Sequence, residues 1–189
     1  MPTVMKHVKK AGEVRIIGGQ WKRTKLPVAE VDGLKPTPDR VRETLFNWLG
    51  QDLHGWRCLD VFAGTGALGF EAASRGAKEV LLLEKNRKAY GCLQKAQKQL
   101  GAEQVHILCT DGLHFLQTDG REKWDVIFLD PPFDLNLFEK ALKMAQNRVA
   151  PSGVIYLESD RIIEPPPGLV CYKQAKAGAV YYTVFIAVP

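Results

Sequence analysis

Past residue 56 the chain alternates two kinds of apolar pattern. Short continuous runs at 58–62, 80–83, 104–108, 124–129 and 153–158 read as strands buried on both faces. The stretches between them, 66–75, 86–100, 111–117 and 135–148, read as helices. Strands separated by helices of this length imply right-handed crossovers and a mostly parallel sheet covered by helices. The end of the chain follows another rule. Residues 169–175 and 179–188 are β-rich runs about Gly178, which predicts an antiparallel hairpin, with Pro165-Pro166-Pro167 as the linker before it.

The start differs again. Residues 1–13 carry no period and read as frayed, whereas residues 14–27 hold two β-prone runs about Gly18-Gly19 and predict a hairpin. Arg15 lies on its first arm, and the second joins Trp21 to Lys22, Arg23 and Lys25. A ring that can stack on a base, beside cations that can reach phosphates, suits a nucleic-acid-facing strand. A peripheral hairpin anchored through Trp21 uses the same residues. Pro36-Thr37-Pro38 then predicts a helix start, with Thr37 as N-cap, Pro38 at the first helical position and Asp39 in the first turn. Val41, Leu45, Trp48 and Leu49 fall on one apolar stripe. Arg40 and Arg42 lie off it, able to bind RNA phosphates or a cofactor carboxylate, or to pair with Asp39 and Glu43.

Composition narrows the class. The 189 residues, 46% hydrophobic and 25% charged, fit one soluble domain with a small extension. No apolar stretch reaches the roughly 18 to 20 residues that span a bilayer, and no signal-type segment follows the first lysines, so the cytoplasm is the expectation. Cys58, Cys92, Cys109 and Cys171 form no C-x-x-C pair and the histidines show no ligand spacing, which argues against a metal site or a disulfide framework. Charge is unevenly spread. Residues 1–42 hold ten Lys/Arg against four acids, a balance of +6, which leaves the other 147 residues at −1 of the chain's +5. A nearly neutral body with a basic N-terminal segment suggests a phosphate-binding arm.

The chemistry concentrates where Val126-Ile127-Phe128-Leu129 runs into Asp130-Pro131-Pro132-Phe133. Two prolines stop the strand and remove two N–H donors, so this turn offers a carboxylate, carbonyl oxygens and a flat ring. Its natural guest is a planar group with an exocyclic amine, the amine donating to the acceptors and the ring stacking on Phe133. Upstream, Asp60-Val61-Phe62-Ala63-Gly64-Thr65-Gly66-Ala67-Leu68-Gly69 links a strand to a helix and contains Gly-x-Gly-x-x-Gly. That pattern admits a dinucleotide, but Asp60 stands where a pyrophosphate would prefer no carboxylate and where the ammonium of S-adenosylmethionine is welcome. Glu84, ending the next strand, is placed for ribose hydroxyls and Asp111, after the third, for the adenine amine; each also suits a helix cap or a surface position.

Taken together these residues resemble the Rossmann-like class I methyltransferases whose [Asn/Asp]-Pro-Pro-[Tyr/Phe] tetrapeptide accompanies amino methylation of bases. From about Val14 the whole chain is similar to the bacterial 16S rRNA guanine-N2 methyltransferases that modify guanine 966. The similarity is carried by Arg15-Ile16-Ile17-Gly18-Gly19, Leu34-Lys35-Pro36-Thr37, the run from Asp39 to Leu49, the glycine loop with Ala63, Gly64 and Gly66, and Asp130-Pro131-Pro132-Phe133. The resemblance implies seven strands with the last antiparallel. It implies S-adenosylmethionine as cofactor, Asp130, Pro131 and Phe133 as the catalytic group, and 16S rRNA in the small ribosomal subunit as partner; a monomer is the expectation, although the sequence itself carries no oligomeric signal. On this reading residues 1–35 are a basic RNA-contacting extension and 36–189 the methyltransferase domain. A DNA adenine-N6 methyltransferase would share the tetrapeptide but has no room here for a target-recognition segment. A non-catalytic RNA-binding relative would have lost the glycine loop or Asp130.

Overall fold

A computed structural model of the protein describes residues 13–118 and 120–188. The frayed stretch expected at the N-terminus falls outside the described residues up to residue 12, and Glu13 already opens a strand. In chain order the elements are β1 (Glu13–Arg15), β2 (Lys25–Pro27), α1 (Asp39–Trp48), β3 (Arg57–Asp60), α2 (Ala67–Ser74), β4 (Glu79–Leu83), α3 (Arg87–Leu100) and β5 (Val105–Leu108). Then follow α4 (Gly112–Gln117), β6 (Trp124–Leu129), α5 (Phe138–Gln146), β7 (Val149–Ser159), β8 (Leu169–Ala177) and β9 (Val180–Ala187).

Seven strands form one sheet in the order β5-β4-β3-β6-β7-β9-β8. β5 through β7 are mutually parallel, and the last strand, β9, runs antiparallel between β7 and β8. Chain order reverses between β3 and β6. In open α/β sheets the crevice beyond the C-terminal ends of such a strand pair is where ligands bind. Alternation sorts the side chains into two cores. Cys58, Val80, Val126, Phe128, Val154 and Tyr156 face a layer that includes α1, α2 and α3. Leu59, Leu81, Ile127, Leu129, Ile155 and Leu157 face α4 and α5.

The small sheet β1–β2 pairs Glu13 with Pro27, Val14 with Leu26 and Arg15 with Lys25. Its Val14, Ile16, Leu26 and Val28 are buried in the first core, with Trp21 packed against it. The expected hairpin is present, but Gly18-Gly19 is not its tight turn. Ile16 and Thr24 are still bridged by a backbone bond of 2.9 Å, and the loop between them docks on α2. Gly18 N–H donates to Glu71 Oε1 at 2.8 Å, and Ser74 Oγ donates back to the Gly18 carbonyl at 2.6 Å. At Gly19, φ is +72° and a Cβ would collide with the Ser74 carbonyl, so a left-handed backbone and close approach to α2 together require glycine there.

α1 departs from expectation in two ways. Thr37 does not cap it; the chain enters from Pro38 with no side-chain cap, because the Thr37 hydroxyl is directed to Glu158 instead. Arg42 is not on a free face either. It is 1% exposed, since α1 rests on the sheet through Phe46 against Phe128 and on α2 through Arg42. At the other end, the helix expected over 135–148 splits into a single 3-10 turn, Phe133–Leu135, and α5, separated by Asn136 in the left-handed region. β7 starts at Val149, ahead of the expected 153, with a register shift against β6 near Trp124.

Candidate active site

The glycine loop leaves β3 at the switch point. Gly66 is the N-cap of α2 with φ +79°, and a Cβ there would run into Phe70 and Leu93, so both its dihedral and its packing exclude a side chain. Ala63 is buried, its N–H bound to the Leu83 carbonyl at 2.9 Å. Gly64 N–H donates to Glu84 Oε2 at 2.9 Å and Asn86 N–H to Oε1 at 2.7 Å, so Glu84 ties the loop to the end of β4. An ionised carboxylate has about four acceptor positions, and two backbone donors leave Glu84 able to accept hydroxyls as well. Asp111 caps α4, accepting His114 N–H at 3.0 Å, and its other oxygen lies 3.9 Å from Lys85 Nζ on the surface.

Asp60 ends β3 with 1% exposure, and its Oδ1 is buried without a hydrogen-bond partner. Burial pushes its carboxyl up to about 7, against the N–H groups of Gly69 and Phe62, which favour the charge; Glu84 and Glu158 add to the rise. A buried acceptor lacking a donor is expensive to keep. It fits a site that receives a positively charged donor from outside.

Asp130 lies one residue beyond the β6–β7 pairing of Leu129 with Leu157. Burial first, then the charges of Glu158 and Asp60, push its carboxyl well above the ordinary carboxylate range. Pro131 is buried and Pro132 has an extended backbone (φ −55°, ψ 128°) that presents Phe133 at the start of the 3-10 turn. The Phe133 ring is half-buried and meets Phe138 edge-on, with centroids 5.4 Å apart. Arg161 braces this loop from behind, donating to Asn136 Oδ1 at 2.7 Å and to Glu139 at 3.0 Å.

Sequence reasoning missed Glu158, Thr37 and Tyr156. Glu158, 6% exposed at the end of β7, accepts from Thr37 Oγ1 and Tyr156 Oη, both at 2.9 Å and both on Oε1. An acid closing the apolar run 154–157 was the available signal, since it repeats the pattern of Asp130 without the prolines. Glu71 was missed too. It is fully buried and bound by Arg42 Nη1 at 3.0 Å, Arg75 Nε at 2.9 Å and the N–H groups of Ile17 and Gly18.

Of the cations assigned to RNA, Lys22, Arg23, Lys25 and Arg40 are exposed and Trp21 is half-buried. Lys25 meets Glu13 at 3.0 Å, and Arg15, largely exposed, meets Asp39 at 2.8 Å. Arg42 is a correction. Its guanidinium is consumed by Glu71, Asp39 and the Thr37 carbonyl, so it presents nothing to a phosphate. Among the described residues no group of three His, Cys, Asp or Glu side chains is placed to hold a metal ion, and no helix is long and apolar enough to cross a membrane.

A seven-stranded sheet with its last strand antiparallel, a glycine loop at the switch point and an Asp-Pro-Pro-Phe turn beside it define a Rossmann-like, S-adenosylmethionine-dependent methyltransferase. The acceptors present are compatible with that cofactor's donors: Asp60 keeps a buried oxygen unpartnered and Glu84 keeps acceptor capacity beside the glycine loop, while Asp111 is spent in part on capping α4. The chain belongs to the family described as Conserved hypothetical protein 95, whose family model covers residues 14–186. It is 43% identical over 181 residues to Ribosomal RNA small subunit methyltransferase D of Haemophilus influenzae, spanning 92% of this chain and 94% of the relative. The protein of the same name from Escherichia coli is 38% identical over 180 residues, covering 93% and 90%. Among solved structures, the Escherichia coli yhhF protein superposes with a TM-score of 0.85 at 36% identity, over 94% of this chain and 99% of that one.

Proposed function

We propose that this protein transfers a methyl group from S-adenosylmethionine to the exocyclic N2 amine of a guanine in 16S rRNA of the small ribosomal subunit, guanine 966 by its family resemblance. The observation that carries the reading is Asp130-Pro131-Pro132-Phe133 at the switch point, on the strand beside the glycine loop's β3 and two residues beyond Phe128, the register partner of Asp60. The relatives named as small-subunit rRNA methyltransferases support the substrate.

The cofactor supplies an electrophilic methyl on a sulfonium, which needs no metal. The protein's task is alignment, a contribution of roughly 7 to 11 kcal/mol in favourable cases. Gly64 and Gly66 let the loop follow the cofactor while Asp60, Glu84 and Asp111 hold its polar groups. Asp130 and the Pro131 carbonyl accept the two N–H groups of the amine, which favours a pyramidal nitrogen and stabilises the positive charge that develops on it. The nitrogen then sheds one proton. Phe133 stacks on the extruded base, a contact of about 1–3 kcal/mol, similar to the few kcal/mol that extrusion costs. Residues 1–35 act as the RNA-contacting extension, with Lys22, Arg23 and Lys25 on phosphates and Arg40 of α1 beside them, and the enzyme works as a monomer in the cytoplasm.

The test is tritiated methyl transfer to 30S subunits from a strain lacking the activity, beside naked 16S rRNA and duplex DNA, with the labelled nucleoside identified. N2-methylguanosine from 30S particles is the expected product. N6-methyladenine in DNA would overturn the substrate while keeping fold and cofactor.

A further inference from the structure

Glu158 stands one residue past Leu157 on β7, as Asp130 stands one residue past Leu129 on β6, and Leu129 and Leu157 are register partners. In-register neighbours on parallel strands project to the same face. Asp60, whose register partner is Phe128, two residues before Asp130, adds a third carboxyl to that face. The sheet thus ends in a row of acids over β3, β6 and β7, with Asp60 leading into the glycine loop and Asp130 into the Pro-Pro turn.

Glu158 is held firmly. Thr37 and Tyr156 both donate to Oε1, which leaves Oε2 outside those two bonds, and Arg42 fixes Thr37 in turn through its carbonyl at 3.1 Å. Only neutral hydroxyls support this buried carboxyl. For fold alone that is a poor arrangement, because a buried acid without a cation is less favourable than an apolar residue of like size.

Resting on the reading that the target is a guanine amine, we infer that Glu158 reads the base: beside Asp130, its free oxygen accepts the N1–H of guanine while Asp130 accepts from N2. Guanine alone among the amine-bearing bases places a second donor next to its exocyclic amine. Adenine N1 and cytosine N3 are acceptors at the corresponding position, and a carboxylate, which once ionised has only acceptors to offer, repels them. Two adjacent carboxylates therefore select guanine by what they reject as well as by what they bind.

The test compares guanine with 2-aminopurine, which keeps the 2-amine but carries an acceptor at N1. Each is placed at the target position of 16S rRNA by splinted ligation and assembled into 30S subunits. The wild-type protein is expected to prefer guanine by roughly 100-fold in kcat/KM, the scale of leaving one buried acceptor unpaired. Glu158→Gln retains an oxygen for Thr37 and Tyr156 but turns an amide N–H2 toward N1, so its guanine rate falls, its 2-aminopurine rate rises and the ratio collapses or inverts. Glu158→Asp, tested beside it in case the glutamine variant does not fold, retracts the carboxylate and narrows the ratio by slowing guanine only. An unchanged ratio in whichever variant folds would overturn the inference and leave Glu158 as a brace for residues 36–38. Failure of the wild-type protein to methylate guanine in 30S subunits would instead overturn the proposed function.

Discussion

Two groups of wholly or partly buried acids lie on the same side of the sheet and are handled in opposite ways. Glu71, inside α2, meets two arginines and two backbone N–H groups, so its charge is fully compensated. Asp60, Asp130 and Glu158, at the strand ends, meet no cation among the described residues; Asp60 has an orphaned oxygen, and burial raises all three carboxyls. The first arrangement clasps α1, α2 and the 16–24 loop together. The second leaves polar capacity unspent at the strand ends beyond which open α/β sheets bind their ligands. A buried charge that the chain itself completes is architecture, and one that it leaves incomplete marks a site.

Removing either kind of acid separates them. Glu71→Ala strands Arg42 and Arg75 without their counter-charge and frees two loop N–H groups, which should cost about 3–5 kcal/mol of stability. The check is chemical denaturation. Asp60→Asn should leave the unliganded fold as stable or more so at neutral pH, because a neutral amide is easier to bury, while weakening S-adenosylmethionine binding in calorimetry. Loss of stability in Asp60→Asn comparable to that in Glu71→Ala would erase the distinction.

Within the site the comparison sharpens again. Asp130→Ala should lower methyl transfer by roughly 10²–10³-fold, the effect of removing one partner of a developing charge, with cofactor affinity within a few-fold. A matching loss of cofactor binding would move Asp130 from the substrate to the cofactor.

What could be read in advance follows the range of each interaction. β6, the Asp-Pro-Pro-Phe turn and the glycine loop are written in local rules: a continuous apolar run, two prolines, glycines at the start of a helix. The antiparallel closing hairpin is equally local. Thr37 and Arg42 were misread because their partners are remote. A threonine between two prolines looks like a cap until Glu158, 121 residues on, accepts its hydroxyl. Arg42 lies off the stripe of Val41 and Leu45, and only Glu71, 29 residues later, makes burial of that second face possible. Gly18-Gly19 looked like a turn for the same reason, its docking partner Ser74 being remote.

The pH response should carry the mark of the incomplete group. Asp60 rises from 3.8 to about 7 in the folded protein. The native state thus holds a proton that the unfolded chain releases, so the contribution of this group to stability is present in acid and is lost as pH rises from about 4 to about 7, by up to about 1.4 kcal/mol per unit. Cofactor affinity should move the other way, strengthening through the same window as the carboxylate that meets the ammonium ionises. Calorimetry in buffers of different ionisation enthalpy should detect proton release on binding at pH 6, absent in Asp60→Asn. The acid limb of kcat/KM should likewise lie above the ordinary carboxylate range, set by Asp130 with Glu158 beside it.

The smallest expected effect belongs to the exposed cations, which contrast with Arg42 as the strand-end acids contrast with Glu71. Lys22, Arg23 and Lys25 are exposed, and among the described residues Lys25 alone of the three has an ion-pair partner, an exposed one, Glu13. Such a pair contributes about 0–1 kcal/mol, so neutralising the three should hardly change stability. If they meet RNA phosphates, the triple variant should weaken binding to the small subunit and flatten the log–log salt dependence by roughly 0.7–0.9 per lost contact. Arg42→Gln should do the reverse, lowering stability while leaving the salt slope of the remaining folded protein unchanged. A salt slope indifferent to Lys22, Arg23 and Lys25 would leave Arg15, Arg40 and Trp21 to carry the RNA-facing surface, or move that surface off the hairpin altogether.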